Sequence, residues 1–175
     1  MTIGVMPGPV TDARAGALRD RYLTQFGGTE LPVPVEQIAE DLLGLSVAES
    51  EQLQVSGLLL PAERDVWLNA REARKSPGRR RFTIAHEVGH WVCQCLEGRV
   101  APIYCRSTDV GVGEGRQLER EANVFAAELL MQEPLVRQRF ARDPSLDELA
   151  AGFAVSSEAI AWRLYNFGLI QNRPE

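Results

Sequence analysis

Histidine is nearly absent. The 175-residue chain holds two, His86 and His90, and they lie four apart. Cysteine is scarce and odd in number, three residues, which excludes a simple disulfide scaffold. Lysine is reduced to Lys75 among 19 basic residues, a bias of the kind base composition produces, and carries no functional weight. Net positive charge is missing too. A formal charge of −5 argues against bulk binding to nucleic acid or to an anionic membrane. No apolar run approaches the roughly 20 residues that cross a bilayer. The start, Met1 to Pro7, lacks a charged segment followed by an apolar one, so no export signal is expected. These absences together predict a cytoplasmic protein.

What remains is 45% apolar and 25% charged, the balance of one soluble domain over residues 1–175. Apolar periodicity predicts helices at 11–26 and 35–43, the second stopped by Gly44. Short strands are expected near 45–49, 54–60 and 65–69, the last two as a hairpin through Pro61-Ala62-Glu63-Arg64. Ser76-Pro77 is a good helix start, so one helix should run over about 77–97 and stop at Gly98. Helices at about 116–131 and 135–142 complete a core over 11–142. Two short helices capped by Ser145 and Ser156 form a tail over 143–175, packed on that core with helix-turn-helix rhythm. The expected class is α+β, mostly helical, with a small antiparallel sheet.

His86-Glu87-Val88-Gly89-His90 is an H-E-x-x-H pattern on the third long helix. Residues four apart share a helical face, so both imidazoles can grip one ion. Glu87 flanks that face and can serve as general base on an activated water. Two histidines scattered at random would fall at this spacing roughly one time in a hundred. Phe82, Ile84, Ala85, Val88 and Val92 bury the helix, where unliganded paired histidines would be unfavourable. Zinc suits two imidazoles plus a carboxylate, although manganese fits the same donors.

With no third histidine, the remaining ligand must be acidic or a thiol. The helix at 116–131 offers Glu119, Glu121 and Glu128. Its apolar stripe is Leu118, Ala122, Phe125 and Leu129; Glu119 and Asn123 share the face beside it, whereas Glu121 points away. Glu119 is therefore the better ligand, with Asn123 one turn on to orient a ligand histidine.

The run Arg80-Arg81-Phe82-Thr83-Ile84-Ala85-His86-Glu87-Val88-Gly89-His90-Trp91, followed by Glu119-x-x-Ala122-Asn123-x-Phe125-Ala126-Ala127-Glu128-Leu129-Leu130-Met131, resembles the ImmA/IrrE family of metallo-endopeptidases. Ser56-Gly57-Leu58-Leu59 and the tail segment Val155-Ser156 are similar to that family as well. The resemblance implies a zincin-like fold, zinc held by His86, His90 and Glu119, and catalysis by Glu87. It implies as substrate a helix-turn-helix repressor of the XRE type, cut to release phage, mobile-element or stress genes. Two departures stand out: Gln132 follows Leu-Leu-Met where members often have Pro, and Val92-Cys93-Gln94-Cys95 stands where many have Leu-His. The alternative expectation is a metal-stabilised binding protein that sequesters a repressor or antitoxin without cutting it.

Three further features are weaker. Cys93, Cys95 and Cys105 read as reduced core thiols rather than a second metal site. The basic run over 71–81 reads as a solvated loop and helix start, with substrate docking as the competing reading. Tyr104 is a candidate hydrogen-bond donor to the oxyanion of peptide hydrolysis. The tail helix SSEAIAWRLYNF offers only Arg163 and Asn166 to a DNA base, so packing on the core is expected and direct nucleic-acid binding is not.

Overall fold

A computed structural model describes residues 11–96, 98 and 114–174. Helix α1 (Ala13–Phe26) begins where the Asp12 carboxylate accepts a hydrogen bond from the Arg14 amide. Helix α2 (Val35–Gln37) widens into a π-helical turn over Ile38–Leu42. Strands β1 (Ser46–Ser50), β2 (Gly57–Leu60) and β3 (Asp65–Asn69) follow, then α3 (Ala70–Lys75) and α4 (Pro77–His90). Helix α4 runs straight on into a second π-helical turn, Trp91–Cys95, in which the Leu96 amide reaches back to the Trp91 carbonyl at 3.0 Å. Helices α5 (Glu114–Leu130), α6 (Glu133–Arg142), α7 (Leu146–Phe153) and α8 (Ser157–Asn166) complete the order.

The α+β class holds, but the sheet is mixed rather than antiparallel. Its order is β1-β3-β2. β2 and β3 form the expected hairpin, Gly57 opposite Leu68 and Leu60 opposite Asp65. β1 pairs with the other edge of β3 in parallel, Ser46 opposite Asp65 and Ser50 opposite Asn69. Residues 51–56 carry the chain past the end of β3, so β2 enters on the far side and β1 is left parallel. Alternation of side chains is the same in either direction, which is why the pattern could not distinguish them.

Helix α3 falls inside the basic run. Asn69 caps it by accepting from the Arg71 and Glu72 amides. Most of the run is then occupied internally. Arg71 and Arg74 pair with Glu51, and Arg79 pairs with Glu72 at 2.9 Å. Arg80 grips Glu36 and Glu49, each at 2.7 Å, and the paired guanidinium holds the Glu36 carboxyl below its usual range.

The core gathers Ile84, Ala85 and Val88 of α4 against Phe125, Ala126 and Leu129 of α5, all fully buried. Gly89 permits this approach: a Cβ there would stand 3.0 Å from the Ala122 carbonyl oxygen. Ser145 and Ser156 cap α7 and α8 as expected. The tail is tied down at several points. Arg81 donates to the Ala154 carbonyl at 3.1 Å and to that of Val33 at 2.6 Å. Arg163, the sole basic residue of α8, is buried, donates to the Met131 carbonyl at 2.9 Å and pairs with Glu128. Burial keeps the Glu128 carboxyl above its ordinary range despite that partner. Among the described residues no helix is long and apolar enough to cross a membrane.

Candidate metal centre

His86 and His90 lie one turn apart on α4, and α5 crosses them with Glu119. The two imidazole Nε2 atoms are 3.0 Å apart. Glu119 Oε2 is 3.3 Å from Nε2 of His86 and Glu119 Oε1 is 3.2 Å from Nε2 of His90. Ligand atoms bound at about 2.0–2.2 Å around a tetrahedral ion stand about 3.3 Å from one another. The three side chains are therefore set at the spacing such an ion requires. Among the described residues they are the one group of histidine, cysteine and acidic side chains so gathered.

The other ring nitrogens explain why both Nε2 lone pairs point inward. His86 Nδ1 lies 3.0 Å from Asn123 Oδ1, and His90 Nδ1 lies 2.7 Å from Gln94 Oε1. Each amide oxygen accepts an N–H, which assigns the proton to Nδ1 and leaves Nε2 as a donor to metal. Gln94 is in turn held by its amide N–H, donated to the Leu118 carbonyl at 2.9 Å. That hydrogen bond ties the end of α4 to α5 directly beside Glu119.

Electrostatically the three side chains are coupled. Burial by itself would raise the Glu119 carboxyl, but imidazoles protonated on both ring nitrogens donate Nε2–H to it and hold it well below the usual carboxylate range. Burial by itself would lower His90, yet the Glu119 hydrogen bond, the Glu87 charge and Gln94 outweigh it, and the imidazole is raised.

Glu87 faces the same place. It is 1% exposed and, with His86, Glu119 and Asn123, lines a groove of about 310 Å³ whose far wall is Val55-Ser56-Gly57 at the start of β2. Gly57 allows that wall to close in. A Cβ there would lie 2.5 Å from Glu87 Oε1 and 2.5 Å from Thr83 Cγ2. The groove stays open: the His86 and Glu119 side chains are 14% and 26% exposed.

The predicted residues His86, Glu87, His90, Glu119 and Asn123 are thus brought together. Tyr104 and Cys105 lie outside the described residues. Cys93 is buried, Cys95 is partly so, and neither joins a metal-ligating cluster among the described residues. Two residues escaped the sequence reading. Gln94 carried a legible signal, since it stands four after His90 on the same face. Gly57 stood in the Ser56-Gly57-Leu58-Leu59 resemblance, but its role against Glu87 depends on a strand and a helix meeting in space.

A family model described as the IrrE N-terminal-like domain, of a peptidase family, matches residues 47–165. A solved structure described as a Mycobacterium tuberculosis transcriptional regulator superposes with a TM-score of 0.64 at 20% sequence identity, a likeness of fold. The match covers 94% of this chain but 49% of that one, so this chain spans about half of the other's length. No curated protein matches the sequence. The family match takes in about two thirds of the chain, including α4 and α5 with both histidines and Glu119, and the protein belongs to the peptidase family of the IrrE N-terminal-like domain.

Proposed function

We propose that the protein is a zinc-dependent endopeptidase and that its substrate is a helix-turn-helix repressor of the XRE type, cut to relieve repression of phage, mobile-element or stress genes. The observation that carries the catalytic reading is the meeting of two Nε2 atoms and a carboxylate within 3.0–3.3 Å of one another, beside a buried Glu87, at the floor of an open groove. Family membership supports a metallopeptidase-like domain. The repressor substrate rests on the family resemblance.

His86, His90 and Glu119 would hold the ion, and their donor set suits zinc with a position left open. When bound, zinc supplies Lewis acidity, lowering the pKa of water to about 7 and polarising the scissile carbonyl. The protein's part is to place and move protons. Asn123 and Gln94 lock the two imidazoles as Nδ1–H tautomers. The Glu87 carboxylate accepts the proton of the attacking water and returns it to the leaving amine nitrogen.

The test is co-incubation of the zinc-loaded protein with an XRE-type repressor of its own genome, followed by intact-mass spectrometry. Wild type should give two fragments, and Glu87→Gln should keep its zinc and give none. Repression relieved equally by both proteins with the repressor intact would replace cleavage by sequestration.

A further inference from the structure

Among the described residues there is a cavity larger than the one at the candidate metal ligands. A limb of about 870 Å³ opens from the same floor and runs away between the start of α4, α5 and α8. It shares Arg79, Phe82 and Asn123 with the groove of the metal centre, so the two adjoin. Its walls are apolar but incompletely buried: Phe82 from α4, Ala127 from α5, Ala159 and Trp162 from α8. Solvent-exposed Arg79, Glu158 and Asn166 stand at its rim. Ser76, Asn123, Ser156 and Arg163 also line it, so the hollow is apolar in its main walls and polar between them, a form that suits a peptide side chain flanked by backbone.

The tail exists in this position by construction. The buried Arg163 anchors α8 to Met131 and Glu128, and Arg81 holds the turn before it. Gly78 lets α4 touch that turn; a Cβ there would lie 2.9 Å from the Ser156 amide nitrogen. The Trp162 ring is steadied too. The Arg173 guanidinium lies 5.3 Å from its centroid and Tyr165 meets it edge-on at 5.9 Å. A fixed indole facing a cleft costs little entropy when it binds. The one basic side chain that α8 could have turned to DNA is spent on this anchoring.

We infer that the α4–α8 limb is a specificity pocket: it receives a large apolar side chain of an extended peptide whose backbone crosses the metal centre, with Trp162 as its principal wall. The inference rests on the peptidase reading and names the substrate class of that site. Its warrant is adjacency, because a peptide lying over Glu87 and His86 has the limb as its neighbouring, mainly apolar space.

A pool of quenched fluorescent peptides, each fixed as Phe, Leu, Ala or Asp at one position, tests this with the zinc-loaded wild type, Trp162→Ala and Ala159→Leu. Wild type should favour Phe or Leu over Ala at one position by about 10- to 200-fold in kcat/KM, the range a hydrophobic pocket commands. Trp162→Ala should bring that ratio to within a few-fold of unity. Ala159→Leu, which fills the limb from its wall, should reverse it in favour of Ala. A ratio unchanged in both variants, or the absence of apolar preference in wild type, overturns the pocket. Absolute rates that fall with the ratio intact mean a structural effect and overturn it equally. The same peptides are then bound to Glu87→Gln and read by fluorescence anisotropy. If wild type cuts no peptide the peptidase reading fails alone, and the binding ratio still decides the pocket; no binding by any peptide removes it.

Discussion

Replacing Gly57 by alanine adds one methyl group at the mouth of the cleft. The new Cβ would stand 2.5 Å from Glu87 Oε1, whereas ordinary contact begins at 3.4 Å. The carboxylate must therefore retreat by about 0.9 Å, and a 1 Å misplacement of a reacting group can cost about 100-fold in rate. Glu87 cannot avoid the methyl by swinging into solvent, since it is 1% exposed. Thr83 Cγ2, also 2.5 Å away, blocks relief on the other side. Overpacking of this kind costs about 1–3 kcal/mol of stability, which leaves a folded protein to assay. None of the three nearest atoms belongs to His86, His90 or Glu119, so zinc should remain stoichiometric. The expected outcome is a kcat about 100-fold down on a cleaved peptide, with metal content unchanged by atomic emission. A kcat within about threefold of wild type, under 1 kcal/mol, with zinc bound would refute the idea that β2 positions the base.

Three other perturbations follow from named contacts. Gln94→Leu removes the acceptor for His90 Nδ1–H, and zinc affinity measured by chelator competition should fall about 10- to 100-fold, while Gln94→Glu retains most of it. Glu36→Gln should lower stability at neutral pH but not in acid. The Glu36 carboxyl is held below its ordinary 4.5 by hydrogen bonds from Arg80, so its contribution is present above that value and lost as pH falls through the depressed one; denaturant midpoints of the two proteins should converge near pH 3, and at this exposure the difference is about 1 kcal/mol or less. Arg163→Met leaves Glu128 buried without its cation and should cost about 3–5 kcal/mol in denaturant unfolding, whereas Arg163→Met combined with Glu128→Leu should recover much of that loss.

Local spacing made the candidate ligands legible. His86 and His90 needed only the helical repeat; the same repeat put Glu119 and Asn123 on one face of a second helix, and the family resemblance then singled out Glu119. Caps were legible for the same reason: Asp12 was not read as one, but Ser76, Ser145 and Ser156 announce helix starts through chemistry within three residues. The sheet was legible as three strands but not as an order, because parallel pairing of β1 with β3 is decided by where residues 51–56 travel. Helix α3 was hidden by length, six residues with no full apolar face. The π-helical turns after α2 and α4 insert a residue into a pattern that reads as plain helix from sequence. The basic run looked like free surface, and only the fold shows Glu36, Glu49, Glu51 and Glu72 brought against it. Gly57 and the α4–α8 limb belong wholly to tertiary structure.

On the proposed reading, α4 and α5 build one metal site from His86, His90 and Glu119. Zinc content of the purified protein, paired with X-ray absorption at the zinc edge, tests it most directly. One zinc per chain is expected, bound by two imidazole nitrogens and carboxylate oxygen and lost from His86→Ala and from Glu119→Ala. A protein that takes up no zinc, or a Glu119→Ala variant that binds one zinc as tightly as wild type, would contradict it.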